Sequence, residues 1–178
     1  MVKRKASDFR TRHGISVVGD CDEPWASFEE ARGHFGELVK AMEEQGFKAP
    51  TPIQAQAWPV ALKGQDLIAV AKTGSGKTLG YLLPAMLLIS KRGPQALVKH
   101  QKGLDQRPPG QPMCLVLAPT RELVQQIHKE AKKLAPAAKA RVLAIYGGVP
   151  KGSQVKALRA GNDLLVATPG RLKALKNA

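Results

Sequence analysis

The chain has 178 residues, 43% of them hydrophobic, which suits one globular domain. Its 28 Lys and Arg against 14 Asp and Glu give a formal charge of +14, unevenly spread: residues 1–90 carry 11 basic and 10 acidic side chains, residues 91–178 carry 17 and 4. That skew points to a polyanionic partner such as nucleic acid, and no apolar run approaches the about 20 residues a membrane-spanning helix requires, so no membrane partner is expected.

Residues 1–26 are polar and charge-mixed and read as an extended or poorly ordered arm. The basic residues at Lys3–Lys5 have no apolar core after them, so they do not form a secretory signal. A single helix is predicted from about Ser27 to Gln45, because Phe35, Leu38, Val39 and Met42 recur on one face and Gly46 follows as a stop. Pro50 and Pro52 punctuate the next turn, and Ile53–Leu62 returns to a helical pattern. Apolar strands then alternate with helices. Asp66–Ala71 reads as a buried strand before a glycine turn and a helix near Lys77–Ser90. Residues 91–112 form a long connection where α/β loops usually take about 2–6 residues, and read as a solvated insertion. Met113–Ala118 is the second strand, followed by a helix from Glu122 to Ala135 that stops before Pro136. A strand at Arg141–Tyr146, a helix near Ser153–Ala160 ended by Gly161, and a strand at Leu164–Ala167 complete the series. Continuous apolar strands between amphipathic helices argue for an α/β fold, a parallel sheet with helices on both faces. Cys21 and Cys114 stand alone without metal-ligand spacing, consistent with a reducing compartment, cytosol or nucleus.

The strongest local signal is Ala71-Lys72-Thr73-Gly74-Ser75-Gly76-Lys77-Thr78, between a predicted strand and a predicted helix. Gly74 and Gly76 permit a tight backbone whose N–H groups form an anion nest, reinforced by the positive end of the following helix. Lys77 would reach the outer phosphates of a nucleotide, and the Thr78 hydroxyl would hold its Mg²⁺. Ala71 stands where the plain phosphate-loop pattern has glycine.

With Gly46-Phe47-Lys48-Ala49-Pro50-Thr51-Pro52-Ile53-Gln54 before this loop, and Pro119-Thr120-Arg121-Glu122-Leu123, Gly147-Gly148 and Thr168-Pro169-Gly170-Arg171 after it, the chain resembles the first RecA-like domain of a DEAD-box RNA helicase. Arg10–Gly19, Ile53–Leu62 and Gly147–Gln154 are most similar to the nuclear, Dbp-like subgroup, which favours the nucleus. The resemblance implies a polar arm over 1–26, a Q-motif region over 27–54, and the N-terminal part of the ATP-binding domain over 55–178. It further implies that Phe47 stacks on adenine, Gln54 bonds its edge, and Phe28 is the isolated aromatic that supports the base. Thr73, Gly74, Ser75, Gly76, Lys77 and Thr78 would cradle the phosphates of ATP with Mg²⁺. Pro119, Thr120, Arg121, Gly147, Gly148, Thr168, Gly170 and Arg171 would grip the backbone of single-stranded or duplex RNA.

In the family, the acids that position Mg²⁺ and water lie on a strand downstream of Thr-Pro-Gly-Arg, and here only seven residues follow Arg171. None of the six Asp residues ends an apolar strand, so no complete catalytic set is expected and the chain alone is expected not to hydrolyse ATP. The resemblance also implies two absent strands beside the phosphate-loop strand. The isolated chain is therefore expected to be marginal, partly molten, or held by a partner chain that completes the sheet. The alternative is a non-enzymatic RNA-binding or regulatory piece of a helicase. A kinase or GTPase would share the phosphate loop but not the Gln54 segment or Thr168–Arg171.

Overall fold

The computed structural model describes residues 8–92 and 111–175. Most of the expected insertion at 91–112 lies outside them. The chain forms two compact units, residues 1–84 and 85–178.

In the first unit, Phe28–Phe35 (α1) and Glu37–Glu44 (α2) replace the single helix expected over 27–45. Gly36 separates them at φ 51°, a conformation that costs an L side chain and interrupts the helical ladder. Ser27 caps α1 by accepting from the Glu30 N–H, and Glu30 reaches back to the Ala26 N–H. Both helices bury their apolar stripes: Phe28, Ala31 and Phe35 from α1, Leu38, Val39 and Met42 from α2.

Pro52–Leu62 (α3) begins with proline at its first position, where a missing N–H costs nothing. Residues 54–60 are all buried, as expected of a helix apolar on every side. Trp58 is fully buried, its ring edge-on to Phe35 at 5.2 Å and stacked with Phe28 at 6.5 Å, with Nε1–H donating to the Leu79 carbonyl. Pro59 inside α3 cannot donate to the Ala55 carbonyl, and the Trp25 N–H does so instead at 2.9 Å. The arm is thus tied down along much of its length. Residues 8–12 are helical. Arg10 Nε donates to Gln56 Oε1 at 2.8 Å, its Nη2 donates to the Asp22 carbonyl at 2.7 Å, and Gln56 Nε2 donates to the same carbonyl at 2.8 Å.

Residues 65–72, expected to hold a buried strand, belong to no ladder. Leu67, Ile68 and Val70 are 43%, 94% and 91% exposed. The apolar pattern is that of a central strand, but such a strand exists only where neighbours accept its backbone. Because the stretch is solvated, the cost of the missing neighbours is exposed apolar surface rather than buried unpaired amides. The helix Lys77–Arg92 (α4) follows.

The second unit holds a parallel sheet of Cys114–Leu117 (β1), Val142–Ile145 (β2) and Leu164–Ala167 (β3) in the order β1-β3-β2. Cys114 pairs with Leu164 on one side, and Val142 with Leu164 on the other. The central strand β3 is buried at every position, whereas Leu115 and Leu117 on the edge strand β1 are about half exposed. Leu165 and Ala167 pack with Ile145, Val155 and Leu158 and with Leu172 and Leu175. Val155 and Leu158 belong to Lys151–Arg159 (α6), Leu172 and Leu175 to Pro169–Leu175 (α7), a helix not expected from the sequence. The helix Arg121–Ala138 (α5) packs on β2 and β3 through an apolar stripe of Val124, Ile127, Ala131 and Leu134. It runs past Pro136, where the sequence suggested a stop. The ring sits in the last turn, and Lys139 ends the helix at φ 52° with its N–H on the Pro136 carbonyl.

Candidate functional site

Among the residues singled out by the sequence, Gln54 joins the glycine loop in the first unit, and Arg121 and Arg171 flank the Gly147-Gly148 turn in the second. In the first, Gly74 and Gly76 adopt φ 79° and 91° and turn the chain into the start of α4. A Cβ on Gly76 would stand 2.5 Å from Gln54 Nε2 and 2.7 Å from Thr51 Oγ1, so any other residue there, already strained by the positive φ, must displace these side chains. Gln54, 1% exposed, joins two segments: Oε1 accepts from the Thr51 N–H at 3.0 Å and Nε2 donates to the Gly76 carbonyl at 3.0 Å. These bonds leave one amide proton and one lone pair for a further partner.

Lys77 Nζ donates to the carbonyls of Ala71 and Lys72, the latter at 2.8 Å. The ammonium is therefore held by neutral acceptors of its own loop, which a phosphate would replace with a charged one. Ser75 Oγ is buried without a hydrogen-bond partner among the described residues. The Thr78 hydroxyl hydrogen-bonds to Tyr81, whose phenol is pushed above its ordinary pKa by burial, with the Thr78 bond opposing. An orphaned hydroxyl, an ammonium, two positive-φ glycines and a helix start fit a nucleotide phosphate chain. Thr73 and Gly74 are exposed at the mouth of the loop. Phe47 follows the C-terminal turn of α2 with 38% of its surface open, whereas Phe28, 5% exposed, lies in the core against Trp58.

In the second unit the parallel strands place Pro119, Thr120 and Arg121, then Gly147 and Gly148, then Thr168, Gly170 and Arg171 after their C-terminal ends. This is the edge at which open parallel sheets bind ligands. Thr120 caps α5, Oγ1 accepting from the Leu123 N–H at 3.2 Å. The Arg121 guanidinium lies 5.1 Å above the Tyr146 ring, and Gln125 Nε2 donates to the Tyr146 hydroxyl. Gly148 has φ 80°, and a Cβ there would meet Arg121 Nη1 at 3.0 Å. Arg171 Nη1 donates to the Val149 carbonyl at 2.9 Å and to Gln154 Oε1 at 3.2 Å. The Thr168 N–H donates to the Ile145 carbonyl, and the Thr168 carbonyl accepts from Leu172 as α7 begins. Pro119, Gly147 and Gly170 are exposed. Tyr146 and Gln154 are not among the site residues expected from the sequence. Their signal was only an aromatic before a glycine pair and an amide one turn into a polar helix.

The sequence model of the DEAD/DEAH box helicase family matches residues 51–178. The chain belongs to this family. It is similar to DEAD-box ATP-dependent RNA helicase 40 of Oryza sativa subsp. japonica, 49% identical over 92% of this chain and 19% of that protein. Among solved structures it resembles the yeast DEAD-box splicing factor Prp28, with TM-score 0.83 and 34% identity over 99% of this chain and 40% of that one. It also resembles the RNA helicase Prp28 of Chaetomium thermophilum bound to ADP, with TM-score 0.79 and 40% identity over 98% of this chain and 40% of that one. The three-stranded parallel sheet with its helices is thus part of a RecA-like DEAD-box fold. The chain spans well under half the length of each of these relatives. No helix among the described residues is long and apolar enough to cross a membrane.

Proposed function

We propose that the chain binds an adenine nucleotide with Mg²⁺ through its first unit and the RNA backbone through its second, as the first RecA-like half of an ATP-dependent RNA helicase. The observation that carries this reading is the Gln54 amide bonded across to Gly76, which ties the Q-motif segment directly to the phosphate loop. Main-chain N–H groups from Gly74 onward and the start of α4 receive the phosphates, and Lys77 moves from its loop carbonyls onto them. Thr78 supplies a hydroxyl to Mg²⁺, which when bound shields the phosphate charge. The remaining donor and lone pair of Gln54 meet the adenine edge, and Phe47 covers its face. Phe28 acts from the core, through Trp58 and α3. In the second unit, Arg121, Arg171 and the exposed glycine backbone meet phosphates without reading bases.

Hydrolysis requires a carboxylate to hold the metal and another to orient water, and no Asp in the sequence follows an apolar strand. The 178-residue chain therefore binds nucleotide without splitting it. Titration calorimetry with ADP and Mg²⁺ at low salt tests this: uptake is expected, weakened at least tenfold by Lys77→Ala. Absence of uptake by a folded sample overturns the nucleotide reading. RNA-stimulated phosphate release that Lys77→Ala abolishes overturns the claim of binding without hydrolysis. The likeness of Arg10–Gly19, Ile53–Leu62 and Gly147–Gln154 to nuclear, Dbp-like helicases supports a nuclear setting.

A further inference from the structure

Arginines at the two ends of β3 are held in opposite ways. Ahead of the strand, Arg141 faces Asp163, which is fully buried: Nε lies 3.2 Å from Oδ2, Nη2 lies 3.3 Å from Oδ1, and the Arg141 N–H donates to Oδ2 at 2.8 Å. The charge of Arg141 is matched where it stands. Beyond the strand, Arg171 is held by a main-chain carbonyl and a side-chain amide, both neutral, and no carboxylate among the described residues pairs with it. Arg121, at the same edge, rests on the neutral ring of Tyr146.

Gln154 makes the arrangement at Arg171. It is 7% exposed on α6; Oε1 accepts from Arg171 Nη1, and Nε2 donates to the Tyr146 carbonyl at 3.1 Å. The same Arg171 Nη1 holds the Val149 carbonyl. The Gly147-Gly148 turn is thereby pinned on both sides, at Tyr146 by the amide and at Val149 by the guanidinium. An amide donates and accepts at once. A glutamate could hold Arg171 but not the Tyr146 carbonyl, and would cancel the charge of the guanidinium.

We propose that Gln154 is a positioning residue of the RNA track, fixing Arg171 and the glycine turn through neutral groups so that the guanidinium keeps its whole charge for a phosphate. This rests on the reading of the second unit as an RNA-backbone surface.

The test is fluorescence anisotropy of a labelled single-stranded oligouridylate with the 178-residue chain over a salt series. Each phosphate neutralised on a single strand contributes about 0.7 to the slope of log K against log salt. Arg171→Ala is expected to lower affinity and flatten the slope by that amount. Gln154→Glu is expected to do the same, with no further flattening when both are combined. Gln154→Met, close in size and uncharged, is expected to weaken binding while leaving the slope unchanged, and circular dichroism melts of the two Gln154 variants separate loss of folding from loss of charge. If Arg171→Ala flattens the slope but Gln154→Glu and Gln154→Met share the same slope, Gln154 is only a packing residue and the proposal fails. If the unaltered chain shows no salt-dependent binding, or Arg171→Ala leaves the slope intact, the RNA-track reading itself fails.

Discussion

At the scale of single residues, Gly76 and Gly74 differ although both have positive φ. The added Cβ at Gly76 strikes Gln54 and Thr51, while at Gly74 it meets nothing within 4 Å. Gly74→Ala therefore meets only the backbone strain of a left-handed L residue, about 1–2 kcal/mol. Gly76→Ala also expels the amide that links Q motif to loop. Calorimetry with ADP and Mg²⁺ is expected to show a larger loss of affinity for Gly76→Ala than for Gly74→Ala, and equal losses would remove Gln54 from the site. His128 gives a pH dependence. Burial pushes its pKa below the ordinary 6.5, as does Lys132, against the raising effect of its bond to the Val142 carbonyl. The unfolded chain then takes up the proton first, so this residue's share of stability is complete above 6.5 and declines as the pH falls from there through the lowered folded value. Urea melts at pH 7.5 and 5 are expected to differ less for His128→Gln than for the unaltered chain.

At the scale of elements, α3 depends on a segment distant in sequence. Pro59 leaves the Ala55 carbonyl without its helical donor, and Trp25 fills the place. A chain starting at Ser27 loses that bond together with the Arg10–Gln56 contact. An unpaired buried carbonyl costs about 1–3 kcal/mol, so the shortened chain is expected to melt at lower denaturant. Pro59→Ala restores an N–H inside the helix and is expected to recover part of the loss in the shortened chain. Failure of Pro59→Ala to recover any would show that the arm acts through its other contacts. The strands β1, β2 and β3 lie within a residue or two of their predicted bounds because short apolar runs between turn signals admit few alternatives. Two helix bounds differ where one glycine or proline decides: Gly36 breaks the first helix, and Pro136 fails to end α5 because it sits in the last turn.

At the scale of the whole molecule, the described residues expose apolar surface that a monomer seldom carries: Ile68 and Val70 almost completely, Leu67, Leu115 and Leu117 by about half. An open strand edge with bare leucines invites association. Ile68→Lys combined with Val70→Lys is expected to lower dye binding and raise the concentration at which light scattering appears, with little change in helical circular dichroism. Amide exchange gives the complementary measurement. The N–H groups of residues 67–71 are expected to exchange fast in the purified chain, and strong protection there would show that the stretch is paired after all.

The sequence by itself determined the family, the order of the motifs and the residues proposed to cradle phosphate or grip an RNA backbone. These depend on local chemistry: glycines where φ is positive, a lysine opening a helix, arginines after apolar strands. Only the tertiary structure decided that Gln54 spans from its helix cap to Gly76, that Phe28 is buried against Trp58, and that Gln154 and Tyr146 support two arginines. Those contacts join residues up to 30 positions apart through directed hydrogen bonds and ring packing, and periodicity carries no record of such distances. The same holds for residues 65–72. Their apolar pattern states a capacity to be a central strand, and whether that capacity is met depends on backbone partners, which a strand cannot supply to itself.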